Sequence, residues 1–540
     1  MEEVQRSSPS ENVPVDLIHR IQSMLPVEEA ARTCVLSKTW SHAWSTIPHL
    51  RFHLTSEFAN EEKERDYIKF MDRTMSKYAQ HNIPIESLKL KLNNKLASHL
   101  ANKRIPTVAA QSCLKELSIR IESDSDLILP DEIFFGKNLH TLSLSDIRLS
   151  PIETVSRNPV INCVNLRVLE LLYVEISEEV LDTLFSNCVL LEKIDLTFRS
   201  DMKTFKVRNF RYLQELKLRT QVPLDVLKID DVPNLCLFLY DVFSESIKTF
   251  NMASLMSVTK LSLHGVTIDV HFLDMIKLKL PSLEILDLVI RDWTSERWDF
   301  TRSSLKCLTL ITRVSKKIDI IQVNAPNLRH LSYRGRTMPS ILFPSSNVPE
   351  YIKLELDLFR SDDPSFFLTM RDLLNLSTKF DIEISYFGYE LPNIDNEDRE
   401  IWFTVPSTNV QHLSYNAYLT ENLQGHLSYF DALVTLCHPK YVTLYSRNPI
   451  FSVEIKSPEK FFCDFFKPII SRMMANKTSD RKDIEFKNPG NGKWEILTDS
   501  FTSTILDISA YSFYSVELKP NCNFFPYLLG YGRRIELLGV

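Results

Sequence analysis

Two short patterns invite a chemical reading. His49 and His53 stand four residues apart, a spacing that would put both imidazoles on one helix face and could hold a metal. No third ligand lies near them and Pro48 adjoins the pair, so a metal centre is not expected. Asn488-Pro-Gly-Asn-Gly-Lys493 has the look of a phosphate loop, but it lacks the Walker spacing and the Ser or Thr after the lysine. Trp494 follows instead, and the flanking stretches 483–487 and 493–497 make a hairpin the better reading. The nine cysteines form no C-x-x-C pair and no Cys/His cluster at zinc spacing. There is no G-x-S-x-G elbow, and no Cys/His context marks a nucleophile. The chain is therefore expected to be non-catalytic, with no cofactor and no metal.

Composition narrows the remaining classes. The net charge of −6 gives no global case for nucleic acid or a membrane surface as partner. Only 10 of 540 residues are glycine, against a usual share of about 7%. Nucleotide-binding loops and doubly wound folds need more than that. No apolar run approaches the roughly 18 residues of a membrane span. Residues 1–12 are polar, lack an apolar signal core and are expected to be disordered. An odd cysteine count without a signal peptide suggests reduced thiols and a nuclear or cytoplasmic setting. In such a setting the glycosylation patterns at Asn375 and Asn476 are chance matches.

With no chemistry to position, the question becomes what the apolar residues are for. Val13 to Leu50 is dense in them. Pro14 suits a first helical position, and Leu17, Ile18, Ile21 and Leu25 follow at helical spacing. Pro26 stops that helix, and Glu28 and Glu29 favour the start of a second. Ala30, Ala31, Cys34 and Val35 are expected on one side of it. Trp40 and Trp44 share a face of a third helix, which Pro48 ends. A segment below about 40 residues rarely hides this much apolar surface alone. Another polypeptide is expected to cover it.

Five pieces of this stretch carry a resemblance. They are Pro14 to Ile18 (P-x-D-L-I), Leu25-Pro26, Ala30 to Arg32, Val35 to Trp40 (V-L-S-K-x-W) and Trp44 to Pro48 (W-x-x-x-P). Together they resemble the F-box of plant F-box/leucine-rich-repeat proteins, with Val13 where the family usually has Leu and Cys34 where it usually has Ser. The resemblance implies docking on a Skp-type adaptor, and through it on cullin and RING subunits. It implies contacts from Pro14, Leu17, Ile18, Ile21, Leu25, Pro26, Val35, Leu36, Trp40 and Trp44. The chain would then be the substrate-recognition subunit of an SCF-type E3 ubiquitin ligase. A small-molecule, hormone-type co-receptor in the same complex, or a non-ligase scaffold, are the alternatives.

Residues 51–84 read as a linker helix, with Ile68, Met71, Met75 and Tyr78 on one side. From residue 85 the unit L-x-x-L-x-L recurs, starting at Leu114, Leu139, Leu166, Leu191, Leu213, Leu235, Val258, Leu283, Leu305 and Leu328. The intervals of 22–27 residues fall in the leucine-rich-repeat range. Strand pairs such as Ile352/Leu354 and Phe380/Ile382 extend the pattern, with longer insertions, to about residue 450. The usual asparagine after each strand is absent, so the ladder that ties neighbouring turns is expected to be missing. The predicted fold is α/β: a three-helix F-box at 13–50, then an irregular solenoid at 85–450 with its parallel sheet on the concave face of a horseshoe. Residues 451–540 would cap it with a β-hairpin; the pattern of the FBD module that ends many plant relatives is not evident there. On the concave face, Arg120, Glu170, Asp195, Lys217, Arg219, His264, Asp287 and Arg334 are the candidate contacts for an unknown substrate protein.

Overall fold

The computed structural model describes residues 13–53, 61–93, 162–198, 202–243 and 409–418, most of 105–149, 255–358 and 365–386, and short segments between 429 and 517. The expected disordered start and most of the expected cap lie outside the described residues. The chain divides into two compact units, residues 1–316 with 323–327, and residues 317–322 with 328–540.

The first unit opens with three short helices, α1 (Val15–Met24), α2 (Val27–Arg32) and α3 (Lys38–Ser45). The strands of its main sheet are β1 (His49–His53), β2 (Ser87–Asn93), β3 (Glu116–Glu122), β4 (Thr141–Ser145), β5 (Val168–Val174) and β6 (Lys193–Phe198). They continue as β7 (Glu215–Thr220), β8 (Leu237–Val242), β9 (Lys260–Ile268), β10 (Ile285–Trp293) and β11 (Cys307–Thr312). Each pairs in parallel with the next. Alternation along a strand sends every second side chain to the same face. The repeat therefore stacks one buried row: Leu50, Leu88, Leu117, Leu142, Leu169, Ile194, Leu216, Phe238, Leu261, Leu286 and Leu308 lie side by side.

The sheet begins earlier than residue 85. Leu50 and Phe52 alternate into the core of β1, and β1 pairs along its whole length with β2. His49 and His53 thus stand on a strand and not on a helix. Residues 51–84 are correspondingly not a separate linker. Helix α4 (Glu61–Gln80) is the crossover of the first β–α–β unit, burying Tyr67, Met71, Met75 and Tyr78. Tyr67 takes the inward place that the sequence suggested for Ile68.

The asparagine usual after each strand is indeed replaced, at Ile147, Val174 and Arg291, yet neighbouring turns are still tied. At several repeats the tie is made by an asparagine or serine just ahead of the first apolar residue of the unit. Asn165 Nδ2 donates to Lys137 O at 2.9 Å, Asn234 to Arg211 O at 2.6 Å and Asn327 to Ser303 O at 2.7 Å. Each reaches one repeat back along the chain. Ser257 and Ser304 hydroxyls make the same backward bond at other repeats. Backbone groups add to the tie: Arg167 O accepts from both Glu192 N and Lys193 N at 2.7 and 3.0 Å. Asn165→Ala should lower stability by about 1 kcal/mol, the net worth of one such bond, as read by urea unfolding. An unchanged midpoint would show that the ladder is ornamental.

The second unit has its own ladder: β12 (His330–Gly335), β13 (Tyr351–Leu358), β14 (Lys379–Tyr386), β15 (Val410–Tyr418) and β16 (Tyr441–Arg447), all parallel. Strand β17 (Tyr514–Glu517) closes on β16 antiparallel. Glu485–Lys487 and Trp494–Ile496 pair antiparallel on either side of the glycine-containing turn. No helix among the described residues is long and apolar enough to cross a membrane.

Candidate docking face

The N-terminal module fills a small core and leaves a second apolar set outside it. Pro14 caps α1 through its carbonyl, which accepts from Leu17 N at 3.0 Å and Ile18 N at 3.1 Å. Ser37 Oγ caps α3, accepting from Trp40 N at 3.3 Å. Ile18, Trp40 and Ala43 pack as the core, with Val13 and Val15 against them. Buried Gln22 ties the helices together, donating to Thr33 Oγ1 at 2.8 Å and to Trp40 O at 3.2 Å. The His19 ring nitrogen Nε2 lies 3.0 Å from Ala43 O and 3.2 Å from Thr46 Oγ1.

Two residues expected at the docking face are therefore core residues. Ile18 is 0% and Trp40 8% exposed. Their helical spacing was compatible with either side, and packing between α1 and α3 claims them. The outward set is Leu17 at 48%, Ile21 at 38%, Met24, Val35 at 87% and Leu36. Pro14 is exposed as well, and Leu25, Pro26 and Trp44 are half-buried. Leu17, Ile21 and Met24 recur at four and three residues and so share one stripe of α1. Met24 was missed in the sequence, although it continues that spacing. Val35 projects because α2 stops at Arg32 and a single 3-10 turn, Thr33–Val35, replaces the expected longer helix.

The module is fastened to the sheet without a spacer. Pro48 O accepts from Glu86 N at 2.7 Å and Ser87 N at 3.2 Å, and Tyr78 OH donates to Ile47 O at 3.0 Å. His53 N donates to Tyr67 OH at 2.8 Å, holding α4 over β1.

On the strand face opposite the leucine row, most candidate contacts are already paired. Lys193 bridges Glu170 at 2.7 Å and Arg219 bridges Asp195 at 2.6 Å. Burial works against the charge of Glu170, but the Lys193 hydrogen bond and charge outweigh it and hold the carboxyl below its usual range. Lys217 lies 3.5 Å from Glu215. In the second unit Arg334 lies 3.3 Å from Glu355 and 3.1 Å from Asp357. His264 sits between Asp241 at 3.5 Å and Asp287 at 3.4 Å. Asp287 is buried, so it supports His264 and is not itself a surface contact, contrary to expectation. Burial opposes the charge of His264, yet hydrogen bonds and charges from the two aspartates lift the imidazole to about 9. Arg120 alone of the candidates is an exposed cation for which no ion pair is formed within the described part of its face.

Burial pushes the Cys163 and Cys188 thiols up to about 12, far from a reactive thiolate. Their Sγ atoms instead donate to Phe134 O and Cys163 O, one repeat back. Among the described residues no group of His, Cys, Asp and Glu is arranged to hold a metal ion.

Comparison with known proteins follows the same lines. Residues 103–240 match the family model described as the LRR repeats of FBD-associated F-box protein At5g56370. The chain is 28% identical over 250 residues to F-box/LRR-repeat protein At4g14103 of Arabidopsis thaliana, covering 44% of this chain and 61% of that one. It is 30% identical over 202 residues to FBD-associated F-box protein At5g56370 of the same plant, covering 37% and 45%. These similarities support a plant F-box/leucine-rich-repeat protein. The chain spans about half the length of these relatives. The three N-terminal helices fit the F-box, and the parallel ladders are its leucine-rich repeats. The matched family segment begins after the F-box and takes in β3 to β7 and most of β8.

Proposed function

We propose that this F-box/leucine-rich-repeat chain is the substrate-recognition subunit of an SCF-type E3 ubiquitin ligase. The F-box docks on a Skp-type adaptor, which brings cullin and RING subunits. The repeats hold the protein to be ubiquitinated. The chain's own contribution is non-catalytic: it raises the effective concentration of substrate near the charged conjugating enzyme. A nuclear or cytoplasmic location suits free thiols such as Cys34 and Cys236.

One observation carries this reading. Leu17, Ile21, Met24, Val35 and Leu36 are exposed on a module whose core is already closed by Ile18, Trp40 and Ala43. Each large apolar side chain gains about 1.5–3 kcal/mol on full burial. A patch of this kind, on a small rigid module, marks a protein-binding face. The test is co-expression of the full chain with a plant Skp-type adaptor and measurement of the complex by calorimetry. A Kd below about 1 μM is expected. No complex at tens of micromolar would refute the assignment.

A further inference from the structure

Deepening that reading, and resting on the repeats being the substrate-holding part, we propose that the outward face of β1–β3 binds an acidic peptide segment of the captured protein. The register sets like charges beside one another there. Arg51 stands opposite Lys89, and His53 stands opposite Lys91, which stands opposite Arg120. Strand neighbours lie about 4.8 Å apart, and like charges directly opposite are destabilising. Further along the ladder the opposite rule holds, with Lys193 on Glu170 and Arg219 on Asp195. Among the described side chains of the β1–β3 face, Glu116 is the one carboxylate, bridging Lys89 at 2.7 Å and Ser87 Oγ at 2.7 Å.

Four cations (Arg51, Lys89, Lys91, Arg120) against Glu116 and Glu122 leave these strand positions at +2 with the histidines neutral, on a chain whose net charge is −6. Basic composition therefore does not account for it. Screening over about 8 Å keeps the field local. Arg51 and Arg120 are exposed. Beside them a cavity of about 170 Å³ is lined by Arg51, Lys89, His49, Ser87, Glu116 and by Ser23 of α1, room for a carboxylate side chain among cations. At 100° per residue Ser23 lies roughly 130° round α1 from the Leu17–Ile21–Met24 stripe. An adaptor on that stripe and a peptide in the cavity would not collide. No Phe, Tyr or Trp stands on this face in β1–β3, so the broad stacking surfaces that single-stranded nucleic acids use are missing and a peptide fits better.

The test uses the full chain and a fluorescein-labelled peptide of about twelve residues, half glutamate and half serine or glycine, at about 50 mM salt. Saturable binding with a Kd of roughly tens of micromolar is expected, and none by a lysine peptide of equal length. Arg51→Glu/Arg120→Glu should weaken binding about tenfold and Arg51→Gln/Arg120→Gln about threefold, both with unchanged thermal melting. Undiminished binding by the glutamate variant, or no saturable binding at all, overturns the proposal. So does a uridine oligonucleotide that binds more tightly than the peptide through the same two arginines. Adaptor capture, measured in parallel, keeps the two readings apart. Variants that lose the peptide and keep the adaptor support the acidic-peptide site. A chain that binds the peptide but never the adaptor supports the site and removes the ligase assignment.

Discussion

Leu17→Asp/Ile21→Asp is expected to weaken adaptor binding by at least about a hundredfold while leaving the chain's unfolding midpoint nearly unchanged. Both side chains sit outside the module core, so the folded chain loses little when they become charged. In the complex two carboxylates would be desolvated without partners, which is costly. Trp40→Ala separates the two roles. Trp40 packs on Ile18 and Ala43, so truncation leaves a cavity and costs about 3–5 kcal/mol of module stability. Adaptor binding should then fall together with helical signal in circular dichroism. If the aspartate pair binds the adaptor as the parent chain does, the exposed stripe is not the docking face.

The second large effect concerns His264. His264→Ala leaves Asp241 and Asp287 buried near one another without their shared cation, a loss of about 3 kcal/mol. The same cluster makes a pH signature. The folded imidazole titrates at about 9 and the unfolded one near 6.5. Its stabilisation is therefore complete below about pH 6.5 and is lost as pH rises toward 9. Urea midpoints of the parent chain should fall across that window. His264→Asn should remove the slope attributable to this group. A parent midpoint that is flat from pH 6.5 to 9, with a variant that matches it, would show that the aspartates do not hold the proton.

Much of this architecture is readable from leucine spacing. Intervals of 22–27 residues predict parallel neighbours, and strands stand at all ten repeat units found that way. The ion pairs follow from the same period, because equivalent positions in adjacent repeats become neighbours: Lys193 and Glu170 are 23 residues apart, Arg219 and Asp195 24. Other features were hidden for physical reasons. β1 holds only Leu50 and Phe52 as inward residues, too short a run to announce a strand beside two histidines at helical spacing. The inward or outward sense of Ile18 and Ile21 depends on where α3 lands, since both sit on the apolar half of one helix. Asparagines before the leucines read as turn residues, and their second task appears only once neighbouring turns are stacked.

The direct bond from the Pro48 carbonyl to the start of β2 has a consequence for geometry. If the chain is the ligase subunit proposed above, the absence of a hinge between the two parts lets the rung that a bound protein occupies decide its height above the conjugating enzyme. Each rung is worth about 4.8 Å. On that reading, adding or deleting a single repeat ahead of the gripping residues would slide every acceptor lysine by that amount, and the ladder would act as a measuring stick for ubiquitin placement.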